Sequence, residues 1–339
     1  MGTKVRVTIV LLMRRLMAVG TVLVVLAACG SDDPTSSAGD GITVVATTTQ
    51  LADFARVIGG EHVEVYGVLK PNADAHDFEP SPADLEAMGD ASVILRNGAE
   101  LETWFDDAVK AAGGDAVVLT ATDGLTLRDS EGHGDEHSEE GEHAEEDGEH
   151  AEHAEEDDHD HGEFDPHVWF DPANVKVIVA SIAETFSAAD PEHAEEFAAN
   201  LASYQAELDE LDAYIEGAID SLTNRKVVTN HEAFGYYIDR YGLEFVGSVI
   251  PSLDSAAEPS ASEIDELIDA IRAEGVTVIF TESSLPATVA EALASEAGIT
   301  VVSGSDALYG DSLGPAGSPG ETYLSMMRHN TDVLVKNLR

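Results

Sequence analysis

The chain has 339 residues, 43% of them hydrophobic, and a formal charge of −49 at pH 7. The length accommodates two domains of ordinary size, and the apolar content excludes global disorder. The charge argues against nucleic acid or an anionic membrane surface as partner and makes cations the natural counterpart; on charge alone, an acidic surface that merely stays soluble is an equal reading.

Residues 1–28 read as a secretory signal. Arg14-Arg15 precede an apolar stretch over 16–26, shorter than the roughly 20 residues of a membrane span. It ends at Leu26-Ala27-Ala28-Cys29-Gly30, which resembles a bacterial lipobox, so Cys29 is expected to carry a lipid anchor after cleavage. Cys29 is the one cysteine, so a metal site in the mature chain has only histidine and carboxylate to draw on. Residues 29–41 form a small, polar tether.

Residues 42–171 form an N-terminal α/β lobe. Strand-like runs at 42–46, 63–69, 92–96 and 116–120 alternate with helical patterns at 50–58, 82–87 and 104–112. Such alternation predicts a parallel sheet flanked by helices. A loop at 129–164 interrupts this lobe. It carries His133, His137, His143, His150, His153, His159 and His161 among Asp and Glu. From His133 to His161 this run has no apolar residue larger than alanine, so it cannot build a core. It offers many weak nitrogen and oxygen ligands to a borderline divalent cation.

Residues 172–223 are helical. Asp190-Pro191 reads as an N-cap with proline at the first helical position. Phe197, Leu201, Tyr204, Leu208, Leu211, Ile215, Ile219 and Leu222 then recur in steps of three and four. A helix over 191–222 would run roughly 48 Å at 1.5 Å per residue and would join two lobes as a stiff strut. Residues 224–339 repeat the alternating scheme. Strands are expected at 227–229, 244–249, 276–281 and 299–303, and helices at 234–241, 261–273, 286–297 and 321–336. Ser260 with Glu263 makes a capping-box pattern. The expected architecture is α/β: two lobes of parallel sheet flanked by helices, with a site in the cleft where strand C-termini face each other.

Of the remaining histidines, His62, His193 and His329 read as ordinary: His62 in an exposed turn, His193 on the polar side of the long helix, and His329 on the last helix. His76, His167 and His231 each fall in a loop expected at the cleft. Taken singly, each is more often an ordinary histidine than a ligand; their shared placement sets them apart.

Several segments together resemble the cluster A-I solute-binding proteins of bacterial metal ABC importers, the helical-backbone receptors for zinc and manganese. They are the lipobox, Ala75-His76-Asp77-Phe78-Glu79-Pro80, the His-rich insert, Asp165-Pro166-His167-Val168-Trp169, His231-Glu232-Ala233-Phe234-Gly235-Tyr236 with Tyr241-Gly242-Leu243, Glu258-Pro259-Ser260-Ala261, Phe280-Thr281-Glu282-Ser283 and Asp311-Ser312-Leu313-Gly314. They span nearly the whole mature chain in the family's order. The resemblance implies that His76 and His167 of the first lobe and His231 of the second ligate the metal, with Asp311 as fourth ligand. Glu282 is the runner-up for that position and is expected instead to orient a histidine. The family's manganese members have a carboxylate where His231 stands, which points to Zn2+ ahead of Mn2+ as cargo.

The expected function is an extracytoplasmic, lipid-anchored zinc receptor that delivers Zn2+ to a membrane permease with its ATPase. It is expected to be monomeric, to touch the membrane through its lipid alone, and to bind no nucleic acid; a metallochaperone is a candidate loading partner. The His/acid loop would act as an auxiliary low-affinity collector. Alternatives are a manganese or iron carrier of the same fold, or a zinc-buffering adhesin. A zinc hydrolase is disfavoured: catalytic zinc keeps an open water position, no His-Glu-x-x-His helix is present, and nothing pairs a base such as Asp254, Glu258 or Glu282 with a nucleophile.

Overall fold

A computed structural model of the chain describes residues 41–130 and 164–339. The expected signal, the tether with Cys29, and the His/acid run from His133 to His161 lie outside the described residues.

In the N-terminal lobe, β1 (Ile42–Ala46), β2 (Val63–Gly67), β3 (Val93–Arg96) and β4 (Val117–Thr120) form one sheet in the order β2-β1-β3-β4, with every ladder parallel. The central strands bury Val44, Val45, Ala46, Val93, Ile94 and Leu95, as strands covered on both faces by helices must. The crossovers carry α1 (Thr49–Gly59), α2 (Pro82–Asp90) and α3 (Phe105–Ala112). Thr48 caps α1 by accepting the Leu51 N–H, and Ser81 with Asp84 closes a capping box on α2, so orphan donors at both helix starts are satisfied. Strand order reverses between β1 and β3, and a crevice opens beyond their carboxyl ends.

Two helices then lead to the second lobe: α4 (Pro172–Ala189) and α5 (Ala194–Asp220). α5 has 27 residues, roughly 40 Å of rise. It begins later than the sequence pattern predicts. Asp190 ends α4 instead of capping α5: its N–H bonds the Phe186 carbonyl, and its carboxylate lies 2.6 Å from the His193 ring. The cause is Pro191, which disfavours helical geometry at the residue before it; Asp190 has φ −136° and ψ 82°.

The C-terminal lobe holds two parallel pairs, β5 (Lys226–Thr229) with β6 (Glu244–Ser248) and β7 (Val278–Phe280) with β8 (Thr300–Val302). β5 packs beside β7. Helices α6 (Gly235–Tyr241), α7 (Ala261–Glu274), α8 (Thr288–Ala297) and α9 (Tyr323–Leu338) complete it. The Ser260–Glu263 capping box forms at the start of α7.

One hydrophobic core runs from β1 and α1 through α4, α5 and α9 to β5 and β7. The lobes therefore share their packing across the helical layer. Smaller clusters lie under α2 and α3 and under α7 and α8. Among the described residues no helix is long and apolar enough to cross a membrane.

Candidate metal centre

Loops at the carboxyl ends of the strands bring four side chains together. His76 lies in the segment between β2 and α2, where the Asp74 carboxylate accepts its backbone N–H at 3.0 Å. His167 opens the turn before α4. Asp165 Oδ1 accepts the His167 backbone N–H at 3.0 Å and lies 2.8 Å from its Nδ1. Asp165 is itself held by Arg128 Nη1 at 3.4 Å and by the Tyr236 hydroxyl, which donates to its carbonyl at 3.0 Å. The Asn97 amide, just beyond β3, donates to the Pro166 carbonyl at 2.8 Å.

His231 stands just beyond β5. Glu282, just beyond β7, places Oε1 2.7 Å from its Nδ1 and accepts its backbone N–H at 3.2 Å. Asp311 sits on the loop after β8, which is tied down from the N-terminal lobe. Gln50 donates to the Asp311 carbonyl at 3.1 Å, Thr49 Oγ1 accepts the Leu313 N–H at 2.7 Å, and the Trp169 indole donates to the Gly310 carbonyl at 3.3 Å.

The result is a cluster of three imidazoles and one carboxylate, with one ligand atom from each of His76, His167, His231 and Asp311 all within 4.8 Å of one another. His76 Nε2 lies 3.3 Å from His167 Nε2, and the Asp311 oxygens lie 3.3, 3.5 and 3.8 Å from Nε2 of His167, His231 and His76. A tetrahedron with metal–nitrogen bonds of 2.0–2.1 Å has edges of about 3.3–3.4 Å, so the donor spacing suits a small four-coordinate cation. Nδ1 of His167 and of His231 faces a carboxylate, which fixes those tautomers and turns Nε2 to the centre.

The site is also unsatisfied by protein alone. His231 Nε2 and both Asp311 carboxylate oxygens are buried without a hydrogen-bond partner among the described residues. Most buried polar atoms in folded proteins are paired, and an uncompensated buried carboxylate is strongly destabilising. A cation at the centroid resolves all three.

Burial disfavours charge on His167, but the hydrogen bond to Asp165 and the nearby Asp311 carboxylate outweigh it and push the pKa up to about 9. Burial also works against charge on His231, yet Glu282 and Asp311 hold its pKa well above the ordinary histidine value. Burial would raise the Asp311 pKa, but His231 and His167 bring it well below the usual carboxylate range. His76 goes the other way: burial lowers its pKa.

The other sequence candidates stay apart from the cluster. Asp254 is exposed and accepts the Ala256 N–H at 2.8 Å in its own turn, and Glu258 is exposed. His62 is not in an open turn: its ring stacks on His193 with centroids 3.8 Å apart, and Nε2 lies 2.8 Å from Glu196. His193 precedes α5 rather than lying on its polar face. His329 lies on α9, and its Nε2 donates to the Ala307 carbonyl at 3.0 Å. Sequence reasoning missed the roles of Asp74 and Asp165. Their shared signal is a carboxylate two residues before a cleft histidine, in Asp74-Ala75-His76 and Asp165-Pro166-His167.

A caged set of nitrogen and oxygen donors between two parallel-stranded lobes defines a receptor for a metal cation, a binding protein and not an enzyme. The chain belongs to the ZnuA family, described as zinc-uptake complex component A periplasmic, which matches residues 44–337. It is thus the extracytoplasmic metal-binding component of an ABC importer. It is 32% identical over 316 residues to the zinc-binding protein TroA of Treponema pallidum, covering 92% of each chain. It is 30% identical over 319 residues to the manganese-binding lipoprotein MntA of Bacillus subtilis, covering 93% of this chain and 95% of that one. The solved structure of periplasmic TroA superposes with a TM-score of 0.74 at 30% identity, covering 88% of this chain and 99% of that one.

Proposed function

We propose that the protein captures Zn2+ outside the cytoplasm, anchored through a lipid on Cys29, and passes it to a permease driven by an ATPase. His76, His167, His231 and Asp311 are its ligands in this reading. The observation that carries it is the convergence of three imidazole nitrogens and a buried, unpartnered carboxylate on one point. Imidazole suits zinc, whereas manganese favours oxygen-rich coordination. Three neutral imidazoles, one carboxylate and Zn2+ leave a net charge near +1, which the acidic chain tolerates. Glu282 acts through His231, fixing its ring by the bond to Nδ1.

A manganese carrier is the second reading, favoured by the likeness to a protein named for manganese binding. Competition titration with Zn2+ and Mn2+ separates the two. The expected result is one tight zinc per chain that excess Mn2+ fails to displace; displacement of zinc by Mn2+ at comparable concentrations would overturn the zinc assignment.

A further inference from the structure

We propose that Asp74 and Ser255 form a latch across the cleft that holds His76 in place and sets the rate at which the cation leaves. The inference rests on the metal-receptor reading above and adds a kinetic role for two side chains outside the ligand set.

His76 is the least secured member of the cluster. Its side chain is 9% exposed, whereas His167, His231 and Asp311 are fully buried. Among the described residues no carboxylate bonds its Nδ1, in contrast to the Asp165 and Glu282 bonds that fix the other two rings. Its segment joins β2 to α2 without a regular element. Swinging His76 away is therefore the exit route that breaks no buried carboxylate–imidazole bond.

What holds that segment is a polar tie to the other lobe. Asp74 Oδ1 accepts the His76 N–H, and the two oxygens of the same carboxylate lie 2.9 and 2.8 Å from Ser255 Oγ. Ser255 is buried, at 7% exposure. Its loop is fastened to both sides of His231: the Ile250 N–H donates to the Asn230 carbonyl at 2.8 Å, and the Glu232 N–H to the Ser252 carbonyl at 3.1 Å. The position of His76 is thus coupled to that of His231 through one hydroxyl–carboxylate bond, of the charge-assisted kind that is roughly twice as strong as a neutral pair. A second tie, from the Asn72 N–H to the Leu313 carbonyl at 3.1 Å, steadies the stem of the segment, with Asn72 in the left-handed region at φ 59°.

The test is stopped-flow release of Zn2+ from the purified chain into excess EDTA, for wild type, Ser255→Ala, Asp74→Ala and the double variant. Absorption of the Co2+-loaded proteins reports the ligand set. Losing one hydrogen bond to a charged group corresponds to about a tenfold change. Ser255→Ala should therefore speed release about tenfold, Asp74→Ala at least as much, and the double variant no more than Asp74→Ala. All should keep the wild-type Co2+ spectrum. Ser255→Ala removes a single oxygen and keeps the test valid should Asp74→Ala fold poorly. An unchanged release rate in Ser255→Ala, independent effects that multiply in the double variant, or an altered Co2+ spectrum would overturn the latch. A wild-type chain that binds no metal tightly would instead overturn the receptor reading beneath it.

Discussion

Asp165 and Glu282 perform one task from opposite lobes. Each accepts both the backbone N–H and lies on the ring Nδ1 of its histidine, at 2.8 Å for His167 and 2.7 Å for His231. Partners of this kind typically contribute 10–100-fold in metal affinity, so Asp165→Asn should weaken zinc binding by about that factor. His231→Ala should lose more, since it removes a proposed ligand, while His193→Ala should bind as wild type. Isothermal titration distinguishes them, and equal losses at His231 and His193 would mean that the ligand set is wrong. The same carboxylates make binding proton-linked. His167, pushed up to about 9, and His231, raised well above the ordinary value, both lean toward the protonated form before metal binds; ligation requires both neutral. Zinc uptake should then release protons in weakly buffered solution. The sign for stability follows. The raised pKa of His167 stabilises the metal-free fold fully below the ordinary histidine value and loses that contribution as pH rises toward about 9. The zinc-induced rise in Tm should accordingly be smaller at pH 6 than at pH 8.5; a pH-independent rise without proton release would contradict the protonation scheme. The three cleft histidines were legible in the sequence because each falls in a loop expected at the cleft. Asp74 and Asp165 were not, because aspartate is also the commonplace residue of polar turns, and the partner of Asp74, Ser255, lies 181 positions away.

The elements that matter most are the loops beyond the strand ends, and the loop carrying Asp311 shows how tightly they fit. A Cβ on Gly310 would stand 1.8 Å from Glu282 Oε2, so only glycine lets the loop approach the carboxylate that orients His231. Gly310→Ala should push Glu282 off His231, lowering zinc affinity roughly 10–100-fold while circular dichroism reports an intact fold. Wild-type affinity in this variant would show that the Glu282 contact is dispensable. The strands were readable from their Val- and Ile-rich runs, and the order of strand and helix along each lobe matches the sequence pattern closely. Two things were not readable. The break between α4 and α5 looked like a helix start because Asp-Pro serves equally well as a cap and as a stop. The placing of β5 beside β7 depends on contacts between segments about 50 residues apart, which no local pattern encodes.

At the scale of the whole molecule, two lobes share a single hydrophobic core through α1, α4, α5 and α9 and meet again at the cluster. His76 and His167 come from one lobe and His231 and Asp311 from the other, so a cation held by all four would be gripped from both sides of the cleft. The charge of −49 sets a field that favours cations throughout. The most direct test is the anomalous-difference map of a zinc-loaded crystal. A single strong peak is expected within about 2.2 Å of Nε2 of His76, His167 and His231 and of one Asp311 oxygen. A tightly bound zinc held by other residues, or by ligands from one lobe alone, would contradict the account.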